Sequence, residues 1–198
     1  MASNLTVDTI RNSSGDAVLM EDGVRKHGPG QIIETLSALC DGQSYTVTSG
    51  TYTTENVTAK QSTSTSYVDL NGSTLTYTPP AGTSIVTYEF FWLQSHVDQH
   101  GIIHYRFYID DVEVTDARVS ETGGYEGTQV SFHWTIPIGG TANTATGRQA
   151  IWTSGKQLKI KWRDYGTGNE GKLHVTHWWD GATSEQFHRP QIKITAYA

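Results

Sequence analysis

The sequence contains a single cysteine, Cys40, so no disulfide can form within the chain. Apolar Leu36 and Leu39 precede it, and a thiol in such a setting behaves as a small hydrophobic group. We therefore expect Cys40 to be a buried core residue, since no partner signal marks it as a nucleophile.

Charged residues are also scarce, at 17% of the chain, and the formal net charge is -6. This balance argues against nucleic acid as a partner, because nucleic-acid binding requires a concentrated basic surface. The nearest approach to a basic run is Lys156, Lys159, Lys161 and Arg163, which are interleaved with apolar residues. That pattern predicts one solvated face of a strand.

Long apolar runs and targeting signals are missing as well. No apolar run approaches the roughly 18 residues that span a bilayer, and the N-terminus lacks a basic start followed by an apolar segment. We expect no membrane insertion and a protein made in the cytoplasm.

What the sequence does contain is a long series of strand-like segments rich in Thr, Tyr and Trp, separated by turn signals. The predicted strands are Ser44 to Ser49, Thr51 to Lys60, Ser66 to Leu70, Ser73 to Tyr77, Ser84 to Leu93, Ile102 to Ile109, Val112 to Val119, Gln129 to Ile138, Arg148 to Thr153, Gln157 to Asp164, Lys172 to Trp178 and Gln191 to Tyr197. Gln31 to Leu39 fits either a helical face or strand alternation, and we favour a strand. Strands at this spacing predict an all-β sandwich or barrel.

Two segments define the predicted core. Ile85 to Leu93 is nearly continuously apolar, which indicates a central strand covered on both faces, or on one face by another subunit. Tyr105 to Ile109 continues through Asp110-Asp111 to Val112, which predicts a tight β-hairpin.

The N-terminal stretch differs from the rest of the chain. Leu5 and Val7 alternate with polar residues and predict one short strand, whereas residues 11–30 hold many helix and strand breakers. We predict a brief strand near Ala17 to Met20, an attachment arm over residues 1–30 and a β head over residues 31–198. The arm has too few apolar residues to fold alone, so we expect it to gain structure on docking.

Three stretches resemble a known family. Leu5 to Gly15 is similar to the start of many tailed-phage virion proteins, especially those of cyanophages. Thr74 to Tyr88 resembles the strand, Pro-containing turn and strand of their jelly-roll heads, and Gln191 to Tyr197 resembles the final core strand. These heads are similar to the tumour-necrosis-factor and complement-C1q fold and usually form trimers.

The resemblance implies a jelly-roll β sandwich carried on a short extended arm, in a virion structural protein. It implies a homotrimer, and contacts with other virion proteins through Leu5, Val7 and Ile10 of the arm. The family's heads serve as tail-fibre tips, baseplate appendages or capsid decorations, and the sequence has no motif that separates these roles.

Aromatic residues in predicted loops are candidates for binding a host surface polysaccharide. Trp178, Trp179 and Asp180 end a strand and enter a Gly-containing loop, while Tyr125 and Tyr165 lie in other predicted loops. Aromatic rings stack on sugar rings, and an adjacent carboxylate can accept hydrogen bonds from hydroxyls. The alternative is that one tryptophan faces the core and the other an interface.

Three histidines form a second candidate. On an extended strand His96, Asp98, His100 and His104 would share a face, and imidazole with carboxylate suits zinc or another divalent metal. The predicted loop around His100 breaks that face, which favours surface or interface histidines. In a trimer, one of these histidines could repeat around the axis as a pH-sensitive or metal-bound cluster.

Signals for catalysis are weak. The sequence has no Gly-x-Ser-x-Gly elbow and no phosphate-binding loop. Carboxylate pairs such as Asp180 and Glu185 could form a glycosidase pair, but they lie at turns, where acidic residues are common. We predict a non-enzymatic protein without a cofactor; a soluble lectin or polysaccharide depolymerase is the alternative.

Overall fold

The structure is a computed structural model that describes residues 28–62, 64–96, 101–123, 127–167, 171–177 and 184–198. It also describes the backbone at positions 10, 11, 17, 18, 20, 21, 24 and 25. Throughout these ranges the regular secondary structure is β, with no helix, and hence no helix that could cross a membrane.

Short strands occupy the first 25 residues and longer ones follow. They are β1 (Ile10–Arg11), β2 (Ala17–Val18), β3 (Met20–Glu21), β4 (Val24–Arg25), β5 (Ile32–Leu39), β6 (Ser44–Val47), β7 (Gly50–Thr53), β8 (Gln61–Ser62), β9 (Val68–Asp69), β10 (Leu75–Tyr77), β11 (Ile85–His96), β12 (Gly101–Ile109), β13 (Val112–Gly123), β14 (Thr128–Pro137), β15 (Lys156–Asp164), β16 (Gly171–Leu173), β17 (Val175–Thr176), β18 (Gln186–Phe187) and β19 (Gln191–Tyr197).

Two antiparallel sheets face each other. Sheet one has the order β5-β19-β11-β14, with β16 and β8 continuing beside the end of β11. Sheet two has the order β10-β15-β12-β13, with β9 also paired to β15. Apart from the β12–β13 pair, successive long strands cross between the sheets, and the resulting strand order is that of a jelly roll. The predicted all-β jelly-roll sandwich is confirmed; kinship with the tumour-necrosis-factor fold and the division at residue 30 stay predictions.

The core lies between the sheets and consists largely of aromatic rings. Tyr88 of β11 lies 5.0 Å from Phe107 of β12, and Trp92 lies 5.1 Å from Tyr105, measured between ring centroids. Phe132 of β14 adds a further contact with Phe107 at 5.5 Å. Each buried ring contributes about 1.5 to 3 kcal/mol from removal of apolar surface from water, so these contacts are what hold the sheets together.

The predicted hairpin between β12 and β13 is confirmed. Asp110 and Asp111 both have positive φ, at 48° and 62°, as a tight two-residue hairpin turn requires. The Asp110 carboxylate also accepts a hydrogen bond from the Gln157 backbone N–H at 2.8 Å. The turn is thereby tied to the start of β15.

The ambiguous segment Gln31 to Leu39 forms strand β5, as favoured from its alternation. Cys40, which follows it, is fully buried, as expected. Its Sγ lies 3.3 Å from the Gly72 carbonyl oxygen, the acceptor of the thiol hydrogen bond. The expectation of a buried thiol is confirmed, and burial raises the pKa of Cys40 to about 12.

The strand predicted over Arg148 to Thr153 is wrong. Arg148 and Gln149 form isolated bridges only, and the segment is a loop. The reason is Trp152, which is buried and whose Nε1–H donates to the Tyr77 carbonyl at 3.1 Å. The anchored indole of Trp152 fixes this segment as a loop, although its alternating residue pattern predicted a strand.

The strand predicted from Lys172 is interrupted at His174, which separates β16 from β17. His174 has φ of +63°, a left-handed conformation that no continuous strand accommodates. Its N–H donates to the Leu93 carbonyl at 2.7 Å, and its carbonyl accepts from the His188 N–H at 2.8 Å.

The strand predicted over Thr51 to Lys60 is shorter than predicted, because β7 ends at Thr53.

We predict that Gly101→Ala strongly destabilises the sandwich. A Cβ at this position would overlap the imidazole of His96, whose side chain is fully buried and cannot move into solvent. Overpacking of this kind costs about 1 to 3 kcal/mol, which urea unfolding would measure. Gly166→Ala is the control, because no atom lies within 4 Å of the place its methyl group would take and its φ is not positive. Equal stability of the two variants would contradict the prediction.

Candidate functional site

Many of the residues predicted to bind ligands or the virion fall outside the described part of the chain. They are Leu5, Val7, Asp98, His100, Tyr125, Trp178, Trp179 and Asp180. Ile10 is described by its backbone alone, which pairs with Val18. For all of these the predicted roles stay predictions.

The described histidines of the predicted metal motif lie on different sheets, one in the core and the other on the outer surface. His96 belongs to β11 and faces the core, where its side chain is fully buried. His104 belongs to β12 and lies on the outer surface, where its Nδ1 is 2.7 Å from Ser120 Oγ. The fold therefore does not bring these two rings together within one chain. Among the described side chains, no group of three or more His, Cys, Asp or Glu could hold a metal ion.

The fold does bring His104 together with Tyr165. Their ring centroids are 5.8 Å apart, and the Tyr165 residue is 61% exposed. The Tyr165 backbone N–H donates to the Ile102 carbonyl at 2.9 Å, which fixes the start of the loop after β15. A residue from the histidine motif and a candidate glycan contact thus share one surface.

That surface is the outer face of sheet two. On β15 the outward positions are Lys159, Lys161 and Arg163, and the register of β12 places His104 beside Arg163 and Arg106 beside Lys161. We call this surface the basic-aromatic face. It comprises Tyr67, His104, Arg106, Tyr108, Arg118, Lys159, Lys161, Arg163 and Tyr165.

Both lysines of β15 on this face are paired with carboxylates. Lys159 Nζ lies 2.5 Å from Asp111 and 3.9 Å from Asp69, and Lys161 Nζ lies 3.5 Å from Asp69. The hydrogen bond from Lys159 lowers the pKa of Asp111 below its ordinary value. These lysines are consequently almost neutralised.

The arginines on the same face are less well compensated. Glu113 serves two of them, since its carboxylate lies 2.6 Å from Arg118 Nε and 3.3 Å from an Arg106 nitrogen. Arg163 forms no ion pair with any described residue, and its Nε is buried without a described hydrogen-bond partner. Five cationic side chains therefore face three carboxylates, Asp69, Asp111 and Glu113.

The Tyr67 ring lies close to both Arg106 and Arg163. The Arg106 guanidinium carbon lies 4.0 Å from the centroid of the Tyr67 ring, and that of Arg163 lies 5.3 Å from it. Partial burial, followed by the positive charges of Arg163 and Arg106, lowers the pKa of His104 below its ordinary value. His104 is therefore a neutral hydrogen-bonding group beside two cations at neutral pH.

The arrangement offers an exposed ring, a neutral imidazole and a guanidinium that has no ion-pair partner among the described residues, all on a rigid sheet. A ring can stack on the apolar face of a sugar, and a planar guanidinium can bind two oxygens of an acid group at once. Alternation in the sequence indicated an outward row on β15, but the adjacency of Arg163 to His104 required the strand order.

A second polar cluster lies at the end of β11. Ser95 Oγ is 2.7 Å from His177 Nδ1, and His177 Nε2 is 3.2 Å from Glu185, whose carboxylate also pairs with Lys60 and Lys172. These are the residue types of a hydrolase triad. In such a triad Nε2 of the histidine contacts the serine and Nδ1 contacts the carboxylate, whereas here Nδ1 contacts Ser95 and Nε2 contacts Glu185. Ser95 is also fully buried, so its hydroxyl is not presented to a substrate.

No protein-family model and no curated protein matches the chain. Among solved structures, it is similar to the structures of the Gx and Gt strains of infectious bursal disease virus, at 10% and 8% identity and a TM-score of 0.37 in each case. The matches cover 96% and 97% of this chain but 42% of each viral chain, so this chain spans less than half their length.

We predict that His174 makes the protein less stable in mild acid. Burial lowers the pKa of this fully buried imidazole to about 4. Because the unfolded chain binds the proton more readily, the neutral ring stabilises the fold above pH 6.5, and this stabilisation is lost as pH falls toward 4.

The variant His174→Asn tests this, because Asn tolerates the positive φ but does not titrate. At neutral pH the variant should be less stable than the parent through lost packing. The difference in free energy of unfolding between parent and variant, measured by urea unfolding, should decrease by up to about 3 kcal/mol as pH falls from 6.5 to 4. A difference in free energy of unfolding that stays constant with pH would contradict the lowered pKa of His174.

We also predict that Glu185 anchors the strands around β16. Although partial burial opposes it, hydrogen bonds from Lys172 and Lys60 lower the pKa of Glu185 to about 2. Its contribution is thus present above pH 4.5 and is lost as pH falls toward 2. Glu185→Gln should cost about 1 to 2 kcal/mol at pH 7, since the pairs are partly exposed.

The matched control is Asp116→Asn, which removes an exposed carboxylate that forms no ion pair within the described ranges. In thermal unfolding, Glu185→Gln should be less stable than Asp116→Asn at pH 7, and this difference should be lost at pH 2. If both lose the same stability at pH 7, the lysine contacts of Glu185 do not stabilise the fold.

Proposed function

We propose that this protein is a structural protein of a tailed-phage virion, a trimeric tail-fibre or baseplate appendage whose β head binds a glycan on the host surface. The observation that carries the binding role is the basic-aromatic face, where Tyr165 is exposed beside His104 and Arg163. The face is built on paired strands, so binding requires little ordering of the protein.

The virion assignment is supported by the N-terminal resemblance and by the fold. Leu5 to Gly15 is similar to the start of tailed-phage virion proteins, and a jelly roll is a frequent architecture of viral structural domains. In this proposal Leu5, Val7 and Ile10 contact other virion proteins. The head projects from the particle and contacts the host.

The trimer is supported by the outer face of sheet one, which differs from that of sheet two. One row across four strands consists of threonines, of which Thr35 and Thr135 are exposed at its two ends and Thr87 and Thr195 are buried between them. The next row contains the ion pair of Lys193 and Glu89, and in the row beyond it Leu39 is 44% exposed. Small uncharged side chains allow two protein surfaces to approach closely, so this face suits contact between copies.

The trimer predicts that the full chain sediments at about three times 21.8 kDa in analytical ultracentrifugation. Thr135→Arg, which places a charge at an exposed position of the threonine row, should shift the equilibrium toward monomer. Thr115→Arg on the exposed surface of β13 is the control and should leave it unchanged. A parent protein that is monomeric at micromolar concentration would contradict the trimer.

The same fold could instead decorate a capsid, and location on the particle decides between these roles. Immunogold labelling of particles carrying the full chain, or a chain lacking residues 1–30, would locate it. Signal at the tail tip that disappears with the arm is the expected result. Signal over the capsid lattice would make it a decoration protein, and absence from particles would favour the soluble lectin or depolymerase.

A further inference from the structure

The chain is acidic overall, yet its positive charge is concentrated on one surface. The formal net charge is -6, whereas the basic-aromatic face carries an excess of two cationic side chains. An anion approaching the protein is therefore attracted to this face in preference to the rest of the surface.

Within that face the excess charge is localised at Arg163 and Arg106. The lysines have carboxylate partners, and Arg118 has Glu113 at 2.6 Å. Arg106 shares that carboxylate at the longer distance of 3.3 Å, and Arg163 forms no ion pair within the described structure. The Tyr67 ring, whose centroid lies 4.0 Å from the Arg106 guanidinium carbon and 5.3 Å from that of Arg163, adds a weak attraction but no neutralising charge.

Two neighbouring guanidinium groups repel each other unless an anion lies near both. Each guanidinium presents a planar fork of N–H donors that matches the oxygens of a carboxylate or sulfate group. Because no described residue supplies that acid to Arg163, the geometry leaves the position open to an acid group from a ligand.

The groups beside Arg163 suit a sugar that carries the acid. His104 and Ser120 provide neutral hydrogen-bonding atoms, and Tyr165 provides an exposed ring 5.8 Å from His104. A nucleic acid would require a continuous basic track along its phosphates, but Asp69 and Asp111 interrupt the charge along β15. One localised charge with one ring fits a saccharide with an acid group.

We infer that the basic-aromatic face binds an acidic saccharide, with Arg163 and Arg106 contacting its carboxylate or sulfate and Tyr165 contacting its ring. This inference rests on the proposed function, which it narrows from a host glycan to an acidic one. It assigns the specificity for charge to Arg163.

The experiment uses the full-length protein and three polymers with one backbone: dextran, carboxymethyl-dextran and dextran sulfate. Biolayer interferometry should detect binding to at least one acidic polymer and none to dextran. Arg163→Gln should weaken that binding by about ten-fold or more, as expected for loss of a charged hydrogen-bonded contact. Arg163→Lys keeps the charge but loses the planar fork, so its affinity for the acidic polymer should lie between that of the parent and that of Arg163→Gln.

Arg148→Gln is the matched control, because Arg148 is also half-buried but lies in the loop after β14 and donates to the Gly139 carbonyl. It should bind the acidic polymers within about two-fold of the parent, since its charge lies outside the face. Unfolding midpoints of all variants establish that losses of binding are not losses of fold.

Equal binding of neutral and acidic dextran, binding of none of the polymers, or unchanged binding by Arg163→Gln would overturn the inference. Equally tight binding of single-stranded DNA that is lost in Arg163→Gln would also overturn it, in favour of a general polyanion site. Different results would contradict the proposed function itself. It fails if the protein does not bind host cells, or if periodate oxidation of their surface glycans leaves binding unchanged.

Discussion

The packing of aromatic rings between the two sheets is the constraint on which the rest of this structure depends. Tyr88 and Trp92 of β11 contact Phe107 and Tyr105 of β12, and these rings are fully buried. Since successive residues of a strand point to opposite faces, placing the rings inward places their neighbours outward. The core therefore determines which polar side chains reach the surface, and on which sheet they lie.

Strand β12 illustrates this coupling. Its inward residues Tyr105 and Phe107 belong to the core, while the intervening His104 and Arg106 belong to the basic-aromatic face. Side chains carried on a strand held from behind by packed rings keep their spacing, as a binding site requires. The site is thus supported by the same residues that stabilise the fold.

The two outer faces of the sandwich have different chemistry. Sheet one carries a row of threonines that is exposed at Thr35 and Thr135, and its charged Lys193 and Glu89 pair with each other at 2.7 Å. Sheet two presents arginines and tyrosines with incomplete compensation of charge. This difference is the physical basis for proposing assembly through one face and recognition through the other.

Residue patterns alone were enough to predict the strand-rich class, the hairpin at Asp110-Asp111 and the buried Cys40, because alternation and turn chemistry are local properties. Local pattern did not reveal the interruption at His174, where backbone bonds to Leu93 and His188 stabilise a left-handed residue. Nor could it place Arg163 beside His104, since that contact depends on which strands pair. Their proximity arises only in the folded chain, because β12 and β15 become neighbours through a jelly-roll topology that joins residues distant in sequence.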